Sequence, residues 1–173
     1  GKGMSQNMVK RVFASIRSII NLTMREYGIE GTNAFNGTFM PDRDEVQKRK
    51  TIPDNAIWVI QQKCREQDDE LRWIVSLISD TGMRLSEALG LCKDDVHLEA
   101  AIPFVEIRTH PWRRLKTPSS NRKVPLVGEA LWATQQAYRG SQSNHLFPRY
   151  CDGQIVKANS ASAALNKWMK CQT

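Results

Sequence analysis

The spacing of apolar residues changes twice along the chain. Over residues 6–27, Val9, Val12, Phe13, Ile16, Ile19, Ile20 and Tyr27 recur at the interval of one helix face. Ser5 stands where an N-cap belongs, and Gly28 where the helix should stop. Residues 28–50 lose this period. Gly28, Gly31, Asn33, Asn36, Gly37 and Pro41 mark a loop or linker, and Pro41 to Lys50 is dense in charge and poor in apolar residues, which places a domain boundary there. Helical spacing resumes after Thr51-Ile52-Pro53-Asp54, with Pro near the first turn and Ile57, Trp58 and Ile60 carrying a helix to about Gln67. Leu71, Ile74, Val75, Leu77 and Ile78 carry the next helix, which ends at Gly82. Trp58 and Trp73 read as core or interface packing rather than base-stacking platforms, because an apolar stripe is usually core. Arg84 to Leu91 predicts a short helix.

The character changes at Asp95. Val96-His97-Leu98, Phe104 to Arg108 and Arg122 to Leu126 are short β-branched or alternating runs that predict strands. The second and third can pair as a hairpin with a long tip from Thr109 to Asn121. Glu129 to Arg139 and Asn159 to Lys170 return to helix. The pattern as a whole predicts an α+β fold, mainly helical, with a small antiparallel β-sheet.

Charge adds a direction to this outline. The chain of 173 residues carries a formal net charge of +7, which favours a polyanionic partner. Between Glu106 and Glu129 there is no acidic residue, whereas Arg108, Arg113, Arg114, Lys116, Arg122 and Lys123 all fall there. Lys10, Arg11, Arg17 and Arg25 project to a different arc of the first helix from its apolar stripe, which suits a helix with its basic side toward a phosphate backbone. A solvated basic face accounts for the helix equally simply, whereas for the run between Glu106 and Glu129 nucleic-acid contact is favoured over a solvated loop. No apolar run is long enough for a membrane span, and the first residues lack the pattern of a secretory signal. Cys64, Cys92, Cys151 and Cys171 are scattered without zinc spacing, so no metal site is expected. All four read as buried free thiols of a reducing cytoplasm.

Two blocks carry candidate chemistry. Asp80-Thr81-Gly82-Met83-Arg84-Leu85-Ser86-Glu87-Ala88-Leu89-Gly90-Leu91 places an Arg directly after a helix-ending Gly, with Glu87 one turn later on the same face. An Arg fork matches two phosphate oxygens and stays charged, as a transition state that gathers charge on phosphate requires. On spacing alone this pair is an ordinary surface ion pair. The second block is Leu115-Lys116-Thr117-Pro118-Ser119-Ser120-Asn121-Arg122-Lys123-Val124-Pro125-Leu126.

Taken together and in this order, the blocks resemble the first half of the catalytic domain of the tyrosine recombinases, the phage integrase family. Thr81, Gly82, Arg84, Ser86, Glu87, Ala88 and Leu91 match its T-G-x-R-x-S-E-h-x-x-L block without a gap. Lys116, Thr117, Ser120, Arg122, Val124, Pro125 and Leu126 match its K-T-x-x-S-x-R-x-h-P-h block. The resemblance implies a partial integrase catalytic domain preceded by a helix of a core-binding domain. Residues 1–40 would be the C-terminal part of that helical DNA-binding domain with its linker, and 41–173 the N-terminal part of the catalytic domain. It implies Arg84 as a catalytic arginine, Glu87 as its acidic support, and Lys116 as a general acid toward the leaving 5′-oxygen. For that last role a lysine pKa of about 10.4 must be tuned downward, and Arg113, Arg114 and Lys123 flank it. Arg113, Arg114, Arg122 and Lys123 join Lys10, Arg11, Arg17 and Arg25 as candidate DNA contacts.

The resemblance further implies double-stranded DNA as partner, a parent that works as a tetramer on DNA, no cofactor, and a cytoplasmic protein of bacterial or phage origin. The family also needs an H-x-x-R block, a His or Trp and a nucleophilic Tyr after the lysine hairpin. The string His110-Pro111-Trp112-Arg113 precedes Lys116 and reads as a coincidence, and Tyr27, Tyr138 and Tyr150 do not stand in the nucleophile's context. The expectation is a fragment of a site-specific recombinase, inactive alone. A DNA-binding remnant or regulator, a type IB topoisomerase relative and a protein-interaction module are the alternatives.

Overall fold

A computed structural model describes residues 4–40, 51–115, 117 and 120–172. The chain divides into two compact units, Gly1–Thr51 and Ile52–Thr173. The first unit is built on α1 (Gln6–Glu26), whose N-cap Ser5 accepts a hydrogen bond from the Met8 amide. Its packed stripe is narrower than the apolar period suggests. Val9, Phe13, Ile16, Ile20 and Met24 are half-buried, whereas Val12, Ile19 and Tyr27 are exposed. Phe13 meets Phe35 edge to face at 6.0 Å. The buried Asn33 ties the following loop to the helix: its amide donates to the Arg17 carbonyl and to Asn21, and its Oδ1 accepts from the Phe35 amide. That loop therefore folds back on α1 through a buried polar residue and the Phe13–Phe35 ring contact together.

The second unit contains α2 (Asp54–Gln67), α3 (Glu70–Thr81), α4 (Leu85–Leu89), a 3-10 turn (Lys93–Asp95), β1 (Val96–His97), β2 (Phe104–Ile107), β3 (Arg122–Pro125), α5 (Gly128–Gly140) and α6 (Ala158–Lys170). Asp68 closes α2 in the left-handed conformation, and Asp69 caps α3 by accepting from the Arg72 amide. The sheet is antiparallel in the order β1-β2-β3, with Val96 opposite Val105, Val105 opposite Val124 and Ile107 opposite Arg122. Alternation along β2 and β3 sends Val105, Ile107 and Val124 inward and Lys123 outward. They close one core with Ile74 and Leu77 of α3, Leu89 of α4, Leu91 just after it, Ala130, Ala133 and Ala137 of α5, and Leu146 and Phe147. The small residues of α5 let it lie close to α3. Asp80 at the end of α3 fastens the pair by accepting from the Glu129 amide at 2.7 Å. Trp73 packs against this core, but Trp58 is 62% exposed and is not a packing residue of the described chain.

Candidate functional site

Gly82 ends α3 at φ +62°, a left-handed turn that a side chain would strain. The turn buries Met83 and places Arg84 as the extended residue before α4. Glu87, one turn into α4, is 3% exposed and faces back toward Arg84. Its Oε2 accepts from the Arg84 amide at 3.1 Å, and its Oε1 accepts from Arg84 Nη1 at 2.6 Å. The same carboxylate takes a second guanidinium from the hairpin, Arg122 Nη2 donating to Oε2 at 2.8 Å. Ser120 lies between them: Arg84 Nη1 approaches its hydroxyl at 3.5 Å and Arg122 Nη1 donates to its carbonyl at 3.0 Å. One buried anion thus orients two cations whose side chains remain 54% and 37% exposed. Burial pushes the Glu87 carboxyl up, but the donors from Arg122 and Arg84 outweigh it and hold the group below its ordinary range. Two fixed guanidiniums, partly open to solvent, have the donor geometry that can meet two oxygens of one oxyanion.

A second cluster lies directly behind the first. Asp95 is fully buried and receives Arg108 Nε at 2.7 Å, Arg113 Nη2 at 3.2 Å and the Cys92 amide at 3.3 Å, with His110 Nε2 at 2.9 Å. Burial again raises this carboxyl, and His110, Arg108 and Arg113 together bring it below the ordinary value. Cys92, Asp95 and His110 hold one ligand atom each within 4.8 Å of one another. Arg108 and Arg113 already occupy the two carboxylate oxygens, and a metal ion would sit against both positive charges. The donor set fits an ion-pair hub better than a cation site.

Several sequence-based assignments change. Arg113, expected to face DNA, is 3% exposed and spends its guanidinium inside, on Asp95 and on the Arg108 and Glu87 carbonyls. Arg122 is drawn to Glu87, while Arg114 and Lys123 are exposed, with Lys123 Nζ 4.7 Å above the Phe104 ring. On α1, Arg11 and Arg25 are exposed, while Lys10 and Arg17 are half-buried. Lys116 lies outside the described residues. Cys64, Cys92 and Cys151 are buried as expected, and Cys171 is exposed. Tyr150 is buried and Tyr27 is exposed. Sequence reasoning missed Asp95 altogether. Its only signal was a carboxylate at the start of a strand region, too common to single out.

The phage integrase family model matches residues 50–172. Three solved structures of the Tn1549 transposon integrase share the fold. Two, in complex with circular intermediate DNA, align with TM-scores of 0.66 and 0.67, at 18% and 17% identity over 97% and 98% of this chain. A third, in complex with transposon right end DNA, aligns with a TM-score of 0.66, at 18% identity over 89%. The chain spans 60%, 54% and 60% of the length of these structures. No curated protein matches it. With a family match over most of its length, and the Arg84 block and the β2–β3 hairpin both inside the matched span, the chain belongs to the phage integrase family.

Proposed function

We propose that this chain supplies the arginine and lysine side of a site-specific DNA recombinase that cuts and rejoins duplex DNA through a phosphotyrosine intermediate. The observation that carries this reading is the Arg84 guanidinium, held by a buried carboxylate yet more than half exposed. Such a group can neutralise a non-bridging phosphate oxygen as charge develops, without reorganising at that moment. Glu87 supports it and Arg122 flanks it. Lys116 is the proton donor to the leaving 5′-oxygen in this reading, on the strength of the sequence block that it opens. The nucleophilic tyrosine is not assigned to Tyr27, Tyr138 or Tyr150. Residues 1–40 act as part of the DNA-holding domain; Arg11 and Arg25 in the first unit, and Arg114 and Lys123 in the second, are phosphate contacts in this reading. The working recombinase is a tetramer on DNA, acting in the cytoplasm of a bacterium or its phage, with no cofactor.

The test is strand cleavage by the recombinase that carries this segment. Arg84→Ala should slow cleavage by a factor of about 100 or more, the scale of losing one preorganised oxyanion donor. Lys116→Ala should be slow on an ordinary phosphodiester and recover on one with sulfur at the bridging 5′ position, a better leaving group. Unchanged cleavage in Arg84→Ala would remove the reading, and failure of the sulfur substrate to rescue Lys116→Ala would remove the acid role alone.

A further inference from the structure

A short helix leaves its last carbonyls without partners, and α4 is only five residues long. The Leu91 amide turns to the Ala88 carbonyl, so the Glu87 carbonyl gets no bond from it. Arg113 fills this gap from the interior, its Nη1 donating to the Glu87 carbonyl at 3.0 Å. Trp112 Nε1 does the same for the Gly90 carbonyl at 2.9 Å. Arg113 is itself held at every guanidinium nitrogen: beside the Nη1 bond, Nε and Nη2 reach the Arg108 carbonyl at 3.2 and 2.8 Å, and Nη2 also reaches Asp95. There is no slack around it. A Cβ on Gly90 would come within 2.8 Å of Arg113 Cδ.

We propose that Arg113 and Asp95 are positioning residues for the Arg84–Glu87 oxyanion receptor. Asp95 fixes Arg113, Arg113 grips the backbone of Glu87, and the Glu87 carboxylate then points at Arg84 and Arg122. Neither residue touches DNA. The inference rests on Arg84 being a phosphate contact, as argued above. A basic residue in the middle of the basic run thereby acts on the site from behind rather than from the DNA side.

The experiment is a double-mutant cycle on the intact chain, read by fluorescence anisotropy with a short duplex DNA. Arg84→Ala alone should weaken binding roughly tenfold, as loss of one charged contact does. Arg113→Lys should weaken it comparably, and the double variant should be no weaker than Arg84→Ala, because both remove the same interaction. A side chain that merely holds the fold together would add its loss to that of Arg84→Ala. As a second readout, the Arg84 side-chain Nε–H resonance should shift toward its solvent-averaged position in Arg113→Lys while backbone amides of the core stay in place. Should Arg113→Lys fail to fold, Asp95→Asn and Gly90→Ala enter the same cycle; Gly90 has φ −86°, so its alanine is allowed by the backbone and displaces Arg113 without removing a charge. Wild-type affinity in a folded variant, strictly additive losses, or failure of all three to fold would overturn the proposal. Wild-type affinity in Arg84→Ala would instead overturn the phosphate contact on which it rests.

Discussion

Glu87 and Asp95 are two buried carboxylates that exist as anions only because cations reach them. Glu87 is 5% exposed as a side chain and collects Arg84 and Arg122, while Asp95 is 0% exposed and collects Arg108, Arg113 and His110. Removing a partner from such a group is costly, whereas the exposed ends of the same pairs are screened by water. Both carboxyls titrate below their ordinary values. Their stabilisation is therefore complete above about pH 4, the unfolded carboxylate value, and is lost as the pH falls through the lower folded value. Urea unfolding followed from pH 6 downward should show this acid loss in the natural chain and less of it in Glu87→Gln. That variant should also lose about 2 kcal/mol at pH 7, from charge-assisted bonds reduced to neutral ones. Equal acid slopes in the two proteins would count against the assignment. The thiols give an independent check on burial. Burial raises Cys64 to about 11, and raises Cys92 and Cys151 as well, whereas Cys171 is exposed. A thiol reagent should label Cys171 alone in the native protein and the other three only after unfolding.

At the scale of elements, the reading from apolar spacing holds where one period dominates. The helices of the second unit and the β2–β3 pairing follow from their stripes and alternation, because each turns one face to the main core or to the smaller cluster of Ile60, Cys64 and Trp168. The stripe of α1 is wider in sequence than in space: Val12, Ile19 and Tyr27 satisfy the period, but no described neighbour in its own unit covers them. The pairing of Arg84 with Glu87 was legible because local geometry joins them, a glycine turn followed by one helical turn, while their weight as a candidate site came from the family resemblance. Arg113 and Asp95 were not, because their pairing depends on how the β2–β3 connection folds under α4, which no local pattern encodes. The turn at Gly82 is the local device on which the site depends. Its φ is +62° and nothing lies within 4 Å of where a Cβ would stand, so substitution meets strain but no clash. Gly82→Ala should cost about 1 kcal/mol in denaturant unfolding, and Gly82→Asn less, since Asn tolerates this conformation better. A loss of several kcal/mol in Gly82→Asn would mean that the turn is held by more than its backbone.

Across the whole molecule, a formal charge of +7 overstates the charge that can meet a polyanion. The six cations between Glu106 and Glu129 look from sequence like one basic surface. In space, Arg108 and Arg113 belong to Asp95 and Arg122 to Glu87, so acidic residues outside the run neutralise part of it. Arg114 carries exposed charge on the same stretch, without an acidic partner among the described residues. The two kinds of arginine should separate in a salt titration. Each phosphate that a cation neutralises contributes about −0.9 to the slope of log affinity against log salt. Arg114→Ala should therefore flatten the slope by roughly that amount and leave stability within about 0.5 kcal/mol. Arg108→Ala should do the reverse, leaving the slope nearly unchanged and lowering stability by about 1 kcal/mol, because Asp95 keeps Arg113 but loses its shortest charged donor. If Arg108→Ala flattened the slope as much as Arg114→Ala, the Asp95 hub would be open to DNA, and the division between inner and outer arginines would fall.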